Sequence, residues 1–548
     1  MTSIIIFPTL LHADLYEQLV VSPLAASMGN AVTAYPPGAL AVHYNPAGLA
    51  DIPGTRFDNS IGMAFTYREL TLTQAIDPTT GKLWAPFGGF FNQGRDPLSG
   101  SKSYQSSGYM IIPYIDFDLP YLITPSMGIS YKPPDPKYSR WTFGFANYAP
   151  FGVGLKNLSD NPMSLLGQKA WMVRMCLVSP AVAYKFSDTL SLGASVGIGP
   201  SMMMLQLNMR TPNDMVALTG ALGKETAGLE IPVVSELTLP PPWFNGGMSP
   251  YDIQGSLQLQ MEDYITTSYN LGLLWKPYDW FSFGAVYQSA STTTMEGDYT
   301  FAYGSEFRRT VDWFGRSPLT IITSAIFDLP NQSVPYQKGT VTMDLTWPAR
   351  LQMGAMLHPT KWLRLTCDAN WTDWSVQKDW TFQFDQKLQM LRFARMLGYP
   401  YSTDSMVIVN DFKDTWHLSY GCEIKPEDKI ALRFGYDPRP TSVQDNLFGP
   451  MPLPDIKIYS AGIGILVDDK PKPTPKNFSE RLQQLNNPNE IDINVSFIKM
   501  ANKTVPSNTS TNLNATSFTD IVYNPYAGLD WHQEMHIWWF AINQVFKW

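Results

Sequence analysis

The feature that most narrows what this chain can fold into is a two-residue alternation of large apolar with small or polar side chains, repeated over most of its length. Leu190, Leu192, Ala194, Val196 and Ile198 interleave with Ser191, Gly193, Ser195, Gly197 and Gly199. Trp416, Leu418, Tyr420, Cys422 and Ile424 interleave with His417, Ser419, Gly421 and Glu423, and 430–436, 459–465 and 491–497 read the same way. A period of two describes a strand with unlike faces. A half-buried soluble sheet shows it as well. Its recurrence through most of 548 residues favours a barrel with one face to lipid and one to a lumen. No run of about 18 apolar residues exists, so no helix is a candidate to cross a bilayer. A crossing chain without such helices must close its strands, because lipid offers backbone groups no partner.

Composition supports this reading. Charged residues make up 16%, against about 25% in soluble domains. The 17 Trp, 27 Tyr and 29 Phe suit a protein with two membrane interfaces to line; an aromatic-rich secreted β protein is the competing explanation. A net charge of −8 without a basic block excludes nucleic acid as a partner class. Cys176, Cys367 and Cys422 are far apart and form no CxxC, so neither a disulfide framework nor a zinc site is indicated.

Connection lengths carry the second signal. Lys276-Pro277-Tyr278-Asp279, His358-Pro359-Thr360-Lys361, Lys425-Pro426-Glu427-Asp428 and Phe186-Ser187-Asp188 are tight turns. Long connections fall near 208–263, 302–337, 387–411, 438–455 and 505–528. Short turns at one rim and long loops at the other mark outer-membrane barrels. The reading gives an all-β, transmembrane antiparallel barrel of about 14 strands, near 60–72, 105–119, 139–150, 168–186, 189–207, 264–276, 280–301, 338–358, 362–386, 412–425, 429–437, 456–467, 490–504 and 530–548. On the last strand Trp538, Phe540, Ile542, Phe546 and Trp548 share a face broken by Gln544, a terminal aromatic strand similar to the sorting signal of the outer-membrane assembly machinery. Residues 1–13 resemble the tail of a signal peptide without its basic start. Residues 14–57 do not alternate and are rich in Ala, Gly, Pro and Asn, which suits a plug inside a barrel of residues 58–548 or, alternatively, a periplasmic tail.

Motifs of catalysis are missing. His532-Gln533-Glu534-Met535-His536 misplaces the glutamate of a zinc motif and sits at a strand entry. No nucleophile elbow or phosphate loop occurs, no cofactor is implied, and the expectation is a non-enzyme. Asn502, Asn508 and Asn514 begin Asn-x-Ser/Thr triplets that mark an exposed polar loop.

Gly29-Asn30-Ala31 and then Ala41-Val42-His43-Tyr44-Asn45-Pro46-Ala47-Gly48-Leu49-Ala50 resemble the plug region of the FadL/TodX outer-membrane transporters of long-chain fatty acids and hydrocarbons. Further similarities follow in order: Tyr148-Ala149-Pro150-Phe151-Gly152, Pro180-Ala181-Val182-Ala183-Tyr184, Gly284-Ala285-Val286-Tyr287-Gln288-Ser289, Asp368-Ala369-Asn370-Trp371-Thr372-Asp373-Trp374-Ser375 and Leu432-Arg433-Phe434-Gly435-Tyr436. They span nearly the whole chain; 468–489 has no counterpart and reads as an insertion. The resemblance implies a monomeric 14-stranded barrel with Asn45, Pro46, Ala47 and Gly48 in its plug. It implies passive passage of a fatty acid or hydrocarbon, with lipid and lipopolysaccharide around the barrel in a Gram-negative outer membrane. It also implies a sideways exit at an inward kink of the third strand, here Asn147, Tyr148, Ala149, Pro150, Phe151 and Gly152. Pro150 lacks a ladder donor and Gly152 weakens the strand, which gives the kink a local cause; the strand simply ending at Pro150 is the other possibility. The cationic pocket positions of the family fall near Met202, with Met204 beside it, and near Thr381, with Lys378 close by. Methionine suits varied apolar ligands, so this register favours uncharged hydrocarbons over fatty acids. Pro240-Pro241-Pro242-Trp243-Phe244 offers an outer apolar landing surface or an irregular cap. A barrel whose long loops serve adhesion or structure is the alternative function.

Overall fold

The computed structural model describes residues 21–76, 81–84, 95–105, 110–112, 115–117, 121–157, 161–165, 167–229, 231–234, 237–396, 399–410, 412–443, 455–475, 478–505 and 525–548. The leader-like stretch 1–13 and the triplets at Asn508 and Asn514 lie outside the described residues.

Twenty strand segments make one antiparallel sheet. Six of them continue another segment across an interruption, leaving fourteen barrel strands. These are β1 (Thr55–Gln74), β2 (Leu122–Tyr131, extended beside β1 by Lys102–Gln105), β3 (Trp141–Lys156), β4 (Lys169–Lys185), β5 (Leu190–Met209), β6 (Gly255–Tyr278) and β7 (Phe281–Gln288, then Ser291–Tyr303). They continue as β8 (Tyr336–Trp347, then Arg350–Thr360), β9 (Leu363–Thr372, then Asp379–Phe384), β10 (Ser405–Val409, then Thr415–Glu427), β11 (Ile430–Arg439), β12 (Ile456–Leu466), β13 (Glu490–Met500, extended by Lys503–Val505) and β14 (Leu529–Lys547). The sheet closes where β1 pairs with β14 from Arg56↔Lys547 to Gln74↔Leu529, so neither strand is left as an edge.

The expected alternation becomes an outer face of exposed Ile61, Phe65, Leu192, Leu271, Phe434 and Phe540, a continuous apolar surface that only lipid or a partner could cover. Turns at 279–280, 361–362 and 428–429 define one rim. Helices Asp214–Glu225, Ser305–Trp313, Pro318–Ile326 and Gln389–Met396 belong to the connections at the other. The second strand differs from expectation. Residues 110–112 and 115–117 form a separate short hairpin, and β2 runs instead from Leu122 through Pro125 to Tyr131. β6 starts at Gly255, earlier than the expected 264.

Candidate functional site

Residues 21–54 form no strand. Short helical turns, Pro23–Ser27, Gly38–Leu40, Ala41–Tyr44 and Pro46–Asp51, lie against the inward faces of the wall, nearly all buried. Asn45 is fully buried and organises them. Its Oδ1 accepts from Ala47 N at 3.1 Å, while its Nδ2 donates to Thr33 O at 2.8 Å and Leu273 O at 3.0 Å. Pro46 starts the following turn, where a missing N–H costs nothing.

The wall makes room for this segment with glycines paired across strands. Gly193↔Gly272, Gly284↔Gly354 and Gly421↔Gly435 are directly opposite one another. A Cβ on these glycines would collide with Asn45 to Ala47, with Thr33, and with Met28 and Gly29 respectively. Polar side chains satisfy the buried backbone from many sides. Asp368 accepts from Thr33 N (2.8 Å) and Asp58 from Ala39 N (2.8 Å). Ser195 and Asn270 donate to Val42 O (3.0 and 3.2 Å), Ser282 to Ala34 O (2.9 Å) and Gln288 to His43 O (2.7 Å). Beneath the segment, Arg433 pairs with Glu423 (2.8 Å) and Asp492 (2.6 Å), Arg364 also pairs with Glu423, and Arg56 pairs with Asp58 (2.9 Å). A cavity of about 540 Å³, lined by Tyr35, Pro36, Arg433 and Trp548 among others, lies on this side.

The other half of the lumen is apolar. Met172, Met203, Leu205, Leu257, Leu259 and Met261 join Phe151, Trp347, Trp374, Trp380 and Phe382 in one buried cluster. This places the methionines of β5 one residue away from expectation. Met203 faces the cluster, whereas Met202 and Met204 lie on the opposite face, packed with Trp171 and Val173. The same shift applies on β9, where Trp380, Phe382 and Phe384 point inward and Thr381 outward, with Lys378 exposed. Asn45, Pro46, Ala47 and Gly48 sit together in the lumen; Met202, Met204, Thr381 and Lys378 do not join a pocket there.

At β3 the wall is broken. The β2–β3 ladder stops at Met127↔Asn147, where Asn147 Oδ1 accepts from Met127 N at 3.1 Å. Among the described residues, Tyr148 to Lys156 have no partner on that side, although β3 remains extended to Lys156. Toward β4 the register shifts twice, between Ala146 and Tyr148 and between Tyr148 and Phe151. Pro150 lies inside the second shift. Pro125 of β2, opposite β1 but beyond the β2–β3 ladder, is a second proline beside the break. Arg174, 1% exposed, braces the distortion. It donates to Met175 O, to Thr266 O (3.1 Å), to Gly197 O (3.4 Å) and to Ser268 Oγ (3.4 Å), next to register shifts in β4 and β6. A small cavity of about 30 Å³ lies here, bounded by His43, Tyr148, Pro150, Phe151, Cys176 and Trp347. Asn147, Tyr148, Ala149, Pro150, Phe151 and Gly152 are thus all at the break.

Sequence reasoning missed Pro125, Arg174, Met203 and Trp347. It also missed Arg68 of β1, 5% exposed, whose Nε and one terminal nitrogen have no hydrogen-bond partner. An Arg at an inward position of a strand that otherwise carries Ala64, Leu70 and Leu72 on that face was the available signal.

Three solved structures illustrate the likeness in fold. A Pseudomonas aeruginosa FadL homologue shares 16% identity with a TM-score of 0.61, covering 99% of both chains. The Pseudomonas putida toluene transporter TodX shares 14% with a TM-score of 0.56, covering 98% of this chain and 99% of that one. The Ralstonia pickettii toluene transporter TbuX shares 16% with a TM-score of 0.54, covering 97% and 99%. No curated protein matches the sequence. The family model described as outer membrane protein transport protein (OMPP1/FadL/TodX) matches residues 15–472, and to that family the chain belongs.

Proposed function

We propose that the protein lets hydrophobic molecules diffuse across the outer membrane of a Gram-negative bacterium. They enter the apolar half of the lumen from the long-loop side and leave sideways at the break beside β3. The observation that carries this reading is the end of the β2–β3 ladder at Met127↔Asn147. Unpaired strand edges facing lipid are costly, so a gap that persists beside an apolar lumen suits a route for greasy molecules. Burial drives entry at about 25 cal/mol per Å² of apolar surface, which needs no energy source and no reaction chemistry. Residues 21–54 act as the plug that blocks a straight aqueous path, and the barrel works as a monomer. In cells lacking their own transporter, a Pro125→Cys/Ala149→Cys variant is joined by a bifunctional thiol reagent with a reducible spacer. Uptake of radiolabelled oleate, hexadecane and toluene should fall about tenfold on joining and return on reduction. Undiminished uptake with the strands joined would refute the sideways exit.

A second reading concerns the ligand's charge. With Met202 turned away from the lumen, its bearing on an uncharged ligand lapses. Arg68 instead supplies a buried cation without a described counter-charge. A buried charge left alone costs several kcal/mol, and a carboxylate is its natural partner. Arg68→Met should then lower oleate uptake while leaving hexadecane uptake within about twofold.

A further inference from the structure

Phe151 and Trp347 belong both to the outer apolar cluster and to the lining of the cavity beside Pro150. They therefore stand where the packed cluster meets that cavity. Their rings stack at 5.1 Å with an interplanar angle of 22°, and Trp374 meets Phe151 edge-on at 6.2 Å. All three are buried.

Each ring stands on an irregularity of the wall. Phe151 ends the second register shift of β3. Trp347 is the last residue before β8 is interrupted at Pro348 and Ala349. Trp374 opens the single 3₁₀ turn, Trp374–Val376, that interrupts β9. Between the outer halves of β8 and β9 only Val341↔Phe384 and Thr342↔Gln383 pair, so the wall is loose on that side of Trp347, while on the other side β8 runs in a continuous ladder with β7 from Ala302↔Tyr336 to Ser291↔Trp347. Polar side chains brace the loose side. Trp347 Nε1 donates to Ser201 Oγ at 3.0 Å, and Thr266 Oγ1 donates to the same oxygen at 3.0 Å. Gln377 Nε2 donates to Thr346 O at 3.0 Å, tying the β9 turn to the end of the outer half of β8. The Trp347 ring, held by one side-chain bond, can turn about its own side-chain torsions while its backbone stays in the β7–β8 ladder, at a net cost of about 1 kcal/mol for the bond released.

We propose that Phe151, Trp347 and Trp374 form a swinging aromatic partition that sets the cross-section of the molecules admitted from the outer apolar cluster to the break beside β3. The proposal deepens the transport reading. It rests on that reading for its physiological consequence but not for its test. Cys176, 1% exposed, lies in the cavity on the far side of the partition. It serves as a built-in reporter once Cys367 and Cys422 are replaced by Ser.

The experiment compares labelling of Cys176 by N-ethylmaleimide and by the much wider N-(1-pyrenyl)maleimide. Both are added from outside to folded barrels carrying Trp347→Ala, Phe151→Ala or Ser201→Ala. Folding is checked by the heat-dependent mobility of the barrel on gels. The unmodified partition should pass the narrow reagent and discriminate against the wide one. Trp347→Ala and Phe151→Ala should raise the wide-to-narrow rate ratio about tenfold, and Ser201→Ala, which removes the acceptor of both Trp347 Nε1 and Thr266 Oγ1, by a few-fold. A ratio that stays constant in folded variants would overturn the proposal. Uptake of phenanthrene relative to hexadecane should change in the same direction. Absence of uptake of either by the unmodified protein would count against the transport reading alone, and the labelling ratio would still decide the partition.

Discussion

The two halves of the lumen solve opposite problems. In the half toward the short turns the strands run unbroken and the interior is polar: Asp58 and Asp368 accept from the irregular backbone, and Arg433 pairs with Glu423 and Asp492. In the half toward the long loops β7 to β10 are all interrupted and the interior is Met, Leu, Phe and Trp. Regular wall with directional bonds holds one chain segment in one place. Broken wall with non-directional packing leaves side chains free to rearrange around varied apolar shapes. The β3 break lies where these regimes meet, so the proposed sideways route would bring a greasy molecule to lipid without crossing the polar half.

The largest effect that would break this contrast is in the polar half. Glu423→Ala leaves the buried Arg433 and the partly exposed Arg364 without their shared carboxylate and should cost about 3–5 kcal/mol of barrel stability, read as a lowered urea midpoint. Gly284→Val drives a side chain into Thr33. It should cost about 1–3 kcal/mol and loosen the inner segment, seen as conductance to small ions in planar bilayers while the barrel stays folded. In the apolar half, Met203→Ala should lower hydrocarbon uptake about fivefold, the equivalent of roughly 1 kcal/mol of lost apolar contact. Met202→Ala should leave uptake nearly unchanged and cost only stability. An equal effect of the two would place the wrong face inward.

The smallest effect lies outside the barrel. Lys387 (2.8 Å) and then Arg392 (3.0 Å) hold the Asp328 carboxyl below the ordinary carboxylate range. A lowered carboxyl contributes stability that is complete above its ordinary pKa and is lost as pH falls through the lowered one. Because the pair is solvent-exposed, its contribution should stay under about 1 kcal/mol. The protection of helix Pro318–Ile326 against hydrogen exchange, taken relative to the intrinsic rate at each pH, should fall slightly on acidification in the parent, and less in Asp328→Asn.

Much of the wall was legible because alternation and turn chemistry are local. The turns after 278, 360 and 427 fell where Pro, Asp and Lys predicted them. The second strand was misplaced for an intelligible reason. The 110–117 stretch is the more apolar run, but its segments 110–112 and 115–117 pair with each other, while Pro125 disguised a strand whose far edge, among the described residues, is unpaired from Leu122 to Ser126. The face of Met202 could not be read because 199–203 is buried on both sides, so the alternation that assigns faces loses its amplitude there. The partition was beyond reach for a different reason. Phe151, Trp347 and Trp374 are brought together by closure of the sheet across hundreds of residues, and no local pattern encodes that meeting.

The seam between β1 and β14 has a consequence for how the molecule comes to exist. Its nineteen paired positions join nearly the first strand residue to nearly the last, a contact of the greatest possible sequence separation, and such contacts form late and slowly. Until the seam zips, β1 and β14 are both naked edges, and residues 21–54 are attached only to the open side of a curling sheet. The segment must therefore be seated on its glycine notches before or while the seam closes, which makes the order of assembly, and not only the final energy, part of what places it inside.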